Sequence, residues 1–241
     1  MKVSVGAVVR GWVPNWVLET VRRIAERVDP FLVISFSQEG EDLIVRRKLA
    51  GLDRGFYVDV GAHHPTRFSN TMALYRRGWR GINIDPNPHA IRLFERARPR
   101  DTSICVGIAE VGGTLEFHMF DEPAVNTFDA VLADEIARSQ TYHRIERREV
   151  KVRKLAELLE ENLPAGQTID LMSIDVEGFD LNVMQSNDWK RFRARCLLVE
   201  ARDFDIERPY DSSVHLFASS VGYRLIAKTV NTLIYQDTHA Q

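Results

Sequence analysis

Five acidic residues stand at the ends of apolar runs in this sequence. Asp59 closes GFYVDV and leads into Gly61-Ala62, Asp85 closes WRGINID, Asp175 and Glu177 fall in SIDVEG, and Glu200 closes LLVE. Carboxylates at such ends can hold a ligand, take a proton or bind a metal. Asp175 and Glu177, two positions apart, share one face if the strand runs through both. Neighbouring carboxylates repel, so one gains affinity for a proton or a cation lies between them. Asp175 and Glu177 are therefore candidates for a general base or for ligands of an ion such as Mg2+, with Glu200 as a third acid in support. The plainer alternative is that these acids cap helix starts.

The glycine after Asp59 restricts the ligand. A dinucleotide fold needs G-x-G-x-x-G, so that a pyrophosphate can lie on bare backbone. Gly61-Ala62-His63-His64-Pro65-Thr66 carries one glycine only, which disfavours NAD and FAD. A lone glycine still lets a ligand approach the backbone. It suits one without a pyrophosphate there, such as S-adenosylmethionine, with Asp59 facing the ammonium directly or through water. Asp85, 24 positions after Gly61, can accept from both hydroxyls of a ribose, and Asn87 follows in the turn. Either residue also reads as the N-cap of the next helix. Adjacent histidines seldom both reach one ion, so His63 and His64 are read as hydrogen-bonding groups near substrate or cofactor.

These residues need strands to carry them. SQEGEDLIVRRKLAGL reads as a helix capped by Ser37, GFYVDVGA as a buried strand, and FSNTMALYRRG as a helix closing at Gly78. WRGINIDPNP, TSICVGIAE, IDLMSIDVEG and RCLLVEARD read as further core strands. PHAIRLFERAR and FDLNVMQSNDW read as helices, TLEFHMF as a half-exposed strand, REVKVRKLAELLEENL as a strand entering a helix, and GYRLIAKTVNTLIYQD as a terminal hairpin. Alternating strands and helices imply an α/β fold with a mostly parallel sheet. Residues 121–148 read as a long polar insertion, and long insertions in compact domains often serve as lids over a bound substrate. In it Arg138, His143, Arg144, Arg147 and Arg148 could meet a phosphate or carboxylate, or simply balance neighbouring glutamates.

Composition narrows the class. The 241 residues are 44% hydrophobic and 27% charged, and 32 basic against 34 acidic residues leave a net charge of −2. One large core is affordable, and there is no excess positive charge for coating nucleic acid. Cys105 and Cys196, alone in apolar runs, read as buried and reduced, which with the lack of an 18-residue apolar run places the protein in the cytoplasm. Residues 1–34 read as a separate helical extension. Pro14 opens it, and Trp16, Val17, Val21, Ile24 and Val28 form its apolar face among arginines. It packs on the main domain, on a second copy, or on a membrane surface.

The ordered set SQEGED (37–42), GFYVDVGAHHP (55–65), FSNT (68–71), RGWRGINIDPNP (77–88), EPAVNTF (122–128) and SIDVEGFDLNVMQSNDW (173–189), with LLVEARD (197–203) less sharply, resembles the FkbM family of S-adenosylmethionine-dependent methyltransferases over residues 35–235. The resemblance implies a class I methyltransferase (Rossmann-like) fold, a seven-stranded sheet of order 3-2-1-4-5-7-6 with helices on both faces and its last strand antiparallel. It implies O-methylation of a saccharide, glycolipid or glycosylated small molecule. It assigns Asp59, Gly61 and Ala62 to the methionine end of the cofactor, Asp85 to the ribose, Ile108 and Ala109 to the adenine, and Asp175 and Glu177 to the methyl group. His63, His64, Asn126 and Arg144 then fall on the acceptor side. A non-catalytic partner subunit and an NAD-dependent oxidoreductase are the competing readings; retention of all the acids argues against the first and the missing glycines against the second.

Overall fold

In this computed structural model, which describes Thr20 and residues 31–239, the apolar runs become strands wherever turn residues bound them on both sides. Numbered along the described chain, the helices are α1 (Glu41–Lys48), α2 (Met72–Arg76), α3 (Pro88–Ala97), α4 (Ala130–Arg138), α5 (Leu155–Asn162), α6 (Asp180–Gln185) and α7 (Ser213–Ser220). The strands are β1 (Phe56–Val60), β2 (Arg80–Asp85), β3 (Thr102–Cys105), β4 (Gly107–Ile108), β5 (Gly113–Phe120), β6 (Arg144–Arg153), β7 (Ile169–Ile174), β8 (Ala194–Glu200), β9 (Tyr223–Lys228) and β10 (Thr232–Asp237).

Seven strands form one sheet in the order β3-β2-β1-β7-β8-β10-β9. Counted within that sheet alone, this is 3-2-1-4-5-7-6. β10 runs antiparallel to β8 and β9, and the remaining pairs are parallel. The architecture is the class I methyltransferase fold. Its central strands read as unbroken apolar runs because both faces are covered. On β1, Phe56, Val58 and Val60 enter one core layer while Tyr57 enters the other; on β8, Leu197 and Val199 oppose Cys196 and Leu198. The described residues from Phe36 onward form one compact unit, and those up to Ser35 belong to another. The helix expected over Pro14–Val28 lies outside the described residues. Among the described residues no helix is long and apolar enough to cross a membrane.

Several elements differ from the pattern reading. TSICVGIAE is two strands, because at Val106 the chain leaves the main sheet. Val106 N–H donates to Asp85 O (3.2 Å), and Gly107 then pairs with Val152 in a second, three-stranded sheet of order β4-β6-β5. β3 is the edge of the main sheet, which is why Cys105 is exposed while Cys196 is buried. Residues 121–148 are not an open loop. They form a 3-10 turn at Pro123–Val125, helix α4 and half of β6, which pairs antiparallel with β5 from Gly113↔Val152 to Phe120↔Arg144. The second half of β6, REVKVR, is the strand expected from the sequence; charge and exposure hide only its first half, RIER, which shows no apolar alternation. Gly40, at φ 90, holds the N-cap position of α1 rather than Ser37; Ser37 Oγ donates to the Asp42 carboxylate (2.9 Å) and accepts from Asp42 N–H (3.3 Å) in the first turn. Helix α7 has no counterpart in the pattern reading.

Candidate active site

A cleft enclosing about 790 Å³, its open mouth included, lies beyond the C-terminal ends of β1, β2 and β7, where open parallel sheets bind ligands. Gly61, Asp85, Asn87, Ile108, His63, Asn126, Asp175 and Glu177 all line it. Asp59, Ala62, His64, Ala109, Arg144 and Glu200 do not.

Gly61 is the pivot between two strand ends. Its N–H donates to Ile84 O (2.9 Å), and Asp175 N–H donates to Val60 O (3.0 Å), so the turns after β1 and β7 lie against each other. At φ 77, a Cβ on Gly61 would sit 1.8 Å from Asp175 O. The missing side chain is therefore demanded by the neighbouring backbone, whereas the pattern reading assigned it to ligand approach.

Asp85 accepts from Asn87 N–H (2.7 Å) through one oxygen and from His63 N–H (2.9 Å) through the other. Each oxygen keeps a further lone pair for a ligand. Burial pushes its pKa up to about 6. Asn87 caps α3 by accepting from His89 N–H (2.9 Å), and it also lines the cleft. The opposite wall is apolar, built from Ile84, Val106, Ile108, Phe117 and Phe128. The last two rings meet at 4.7 Å between centroids. They were not singled out from sequence, although the alternation in TLEFHMF turns Phe117 inward.

Several assigned groups lie behind this wall. Ala62 N–H donates to Ile84 O (3.1 Å), and Ala109 N–H to Arg153 O (3.0 Å). Asp59 is turned into the core, where it accepts from Thr71 Oγ1 (2.7 Å), and burial raises its pKa. Thr71 in turn accepts from Arg98 (2.8 Å), which is 1% exposed and also donates to Pro65 O and to Ser69 Oγ (2.7 Å). This arginine ties the loop over residues 65–71 to the end of β1. Sequence reasoning missed it because a basic residue at a helix C-terminus is ordinarily a surface group.

The histidines divide. His64 Nδ1 accepts from Thr66 N–H (3.1 Å) and Arg67 N–H (3.0 Å), so it builds its own turn rather than facing an acceptor. His63, in left-handed backbone at φ 54, lines the cleft with its buried Nε2 unpartnered. Burial depresses its pKa to about 4, which keeps it neutral. Asn126 lines the cleft and accepts from Phe120 N–H (2.8 Å). Arg144 points away and binds Asp134 (2.6 Å). At the rim, a two-pronged Arg67–Glu122 pair (2.8 and 2.7 Å) ties the loop carrying His63 to the Pro123–Val125 turn.

β7 ends at Ile174, so Asp175 and Glu177 do not share a strand face. A tight turn brings them together instead, with Glu177 at φ 56 and Gly178 at φ 89. Asp180 accepts from Val176 N–H and Gly178 N–H (3.2 Å each), and Thr127 donates to Glu177 O (2.7 Å). Carboxylate oxygens of Asp175, Glu177 and Glu200 thereby come within 4.8 Å of one another. Arg202, absent from the sequence reading, clasps two of them: Nε donates to Glu200 (2.8 Å) and Nη2 to Glu177. Burial and mutual repulsion push Glu177 up to about 8 and hold Asp175 well above the ordinary carboxylate range; Arg202 opposes both.

The family model for the methyltransferase FkbM domain matches residues 59–225, from the end of β1 into β9. The chain belongs to the FkbM methyltransferase family. No curated protein matches it. A crystal structure of a TehB-like SAM-dependent methyltransferase from Corynebacterium glutamicum is similar at 13% identity, covering 94% of this chain and 100% of that one, with a TM-score of 0.37. The family's methyl donor is S-adenosylmethionine, and the cleft fits it. An acid with free lone pairs at the end of β2 shares the cleft with the apolar side chains Ile108, Phe117 and Phe128, as an adenosine requires. A divalent cation fits the three carboxylates in donor type, but Arg202 already supplies positive charge to two of them.

Proposed function

We propose that this FkbM methyltransferase methylates a hydroxyl group of a neutral, hydroxyl-rich acceptor such as a saccharide or a glycosylated small molecule. One observation carries the reading: Asp175 and Glu177 face the same cleft as Asp85, so a proton acceptor lies beside the cofactor position. Asp85 and Asn87 would hold the ribose, and Ile108, Phe117 and Phe128 the adenine. The bound cofactor supplies an electrophilic methyl group on a sulfonium.

A hydroxyl is a poor nucleophile at neutral pH and needs a base. Asp175 takes that role. It is the cluster member that lines the cleft without a direct bond to Arg202; burial and the charges of Glu200 and Glu177 raise its proton affinity, so it serves as base once ionised and transfer is expected to increase as pH rises. Glu200 lies against it, and Arg202 holds Glu177 and Glu200 in place. Carboxylates accept hydrogen bonds from hydroxyls and repel phosphates, which selects neutral polyols over anionic acceptors at the reacting centre. His63 Nε2 adds a neutral hydrogen-bonding group on the same wall. Arg202 bonds one oxygen of Glu177 and one of Glu200 and so already offsets part of the cluster's charge; deprotonation is assigned to the carboxylate alone.

The test is calorimetric titration with S-adenosylhomocysteine, followed by transfer of labelled methyl from S-adenosylmethionine across a panel of saccharides and glycosides. Asp175→Asn is expected to abolish transfer while keeping cofactor affinity within several-fold. Loss of cofactor affinity in the folded variant would move Asp175 from the acceptor to the cofactor. Failure of the folded wild-type protein to bind would refute the cofactor site.

A further inference from the structure

The arginines of this protein fall into two populations. Most of those in the second half, including Arg144, Arg148, Arg153, Arg193 and Arg202, are bound to carboxylates. At the other end of the fold, Arg47, Arg54, Arg77, Arg80, Arg96 and Arg100 are exposed, and none makes an ion pair among the described residues. Arg47 and Arg96 sit in the last turns of α1 and near the end of α3, where a cation complements the helix dipole. That explanation does not reach Arg54, Arg80 and Arg100, which precede or open β1, β2 and β3. They are held together by pairing: Phe56 lies opposite Arg80, whose N–H donates to Gly55 O (3.4 Å), and Arg100 donates to Tyr75 O (2.6 Å) next to Arg76 and Arg77. Asp101, the acid beside Arg100, is turned inward onto Tyr57, Gly81 and Asn83.

We propose that this arginine face docks the protein on a bilayer surface rich in anionic phospholipid. The ligand is read by charge and not by stacking, because the rings in this face, Phe36 and Tyr75, are buried beneath Arg76 and Arg100 and offer no platform for bases. Independently, in sequence this unit follows an extension with Trp12, Trp16 and several arginines, the composition of an interfacial anchor. Arg80 opens β2 and Asp85 closes it, about 16 Å apart along the strand. A bilayer on the arginine face therefore leaves the cleft open to water, which favours an acceptor delivered from solution over one embedded in that bilayer.

The experiment is co-sedimentation of the full chain with vesicles of phosphatidylglycerol and phosphatidylcholine, against phosphatidylcholine alone, over a salt series. The variant is Arg54→Gln/Arg77→Gln/Arg80→Gln, three exposed residues outside the cleft, with S-adenosylhomocysteine binding as the check of folding. Each arginine near an acidic surface is worth about fivefold in affinity, so the triple variant loses on the order of a hundredfold. Binding that needs phosphatidylglycerol, weakens with salt and falls in the variant supports the proposal. No binding to anionic vesicles, equal binding by the variant, or binding to duplex DNA with none to vesicles would overturn it.

Discussion

Replacing Gly61 by alanine separates two explanations of one residue. A glycine at the end of β1 can be needed for a ligand or for the protein's own backbone, and the structure favours the second. At φ 77 an alanine sits in the left-handed region, at about 1–2 kcal/mol. Its Cβ would also lie 1.8 Å from the Asp175 carbonyl oxygen, backbone that moves only if the turn after β7 moves with it. Overpacking of that kind costs about 1–3 kcal/mol. The sum, about 2–5 kcal/mol, is a large part of the roughly 5–15 kcal/mol that holds a domain together. At about 2–4 °C per kcal/mol it lowers the melting temperature by on the order of 10 °C. Gly166→Ala is the control, since φ is 72 but nothing lies within 4 Å of the added carbon, so only the backbone strain remains. Thermal unfolding of both variants, with S-adenosylhomocysteine titration of each, reads the difference. If Gly61→Ala melts no lower than Gly166→Ala, the clash argument is refuted. If it melts like wild type yet loses the ligand, the glycine serves the ligand after all.

The acidic cluster makes stability fall as pH rises. Glu177 is raised from 4.5 to about 8, so the folded state binds a proton that the unfolded state releases; its stabilisation is complete below 4.5 and lost as pH climbs through about 8. The melting temperature is expected to drop across that interval and to drop less in Glu177→Gln; an unchanged slope counts against the assignment. Arg202→Gln removes the guanidinium shared by Glu177 and Glu200 and is expected to cost about 1–3 kcal/mol above that pH and less below it, measured by denaturant unfolding at two pH values. Arg98→Met leaves Thr71 Oγ1, Ser69 Oγ and Pro65 O without their buried donor and is expected to cost about 1–3 kcal/mol by urea unfolding; a loss under ~0.5 kcal/mol would deny Arg98 its structural role.

The sequence by itself determined the strands of the main sheet, the positions of the acids near their ends and the family. Strands such as β1 and β7, covered on both faces, must be apolar without interruption, and Asn87-Pro88 announces a helix start through groups that contact each other directly. Those signals are local, carried by residues a few positions apart. Tertiary structure alone decided what the acids do. Asp59 and Asp85 end neighbouring parallel strands, yet one is drawn inward by Thr71 and the other turned to the cleft by His63 and Asn87. Asp175 and Glu177 meet through a turn, and Arg202 joins Glu177 across 25 residues, because β7 and β8 lie side by side. Likewise the first half of β6, Arg144 to Arg147, is a strand through its pairing with β5, not through its own pattern of charges. Periodicity records which face of an element is buried; which partner waits on that face depends on the strand order, and only the folded sheet supplies it.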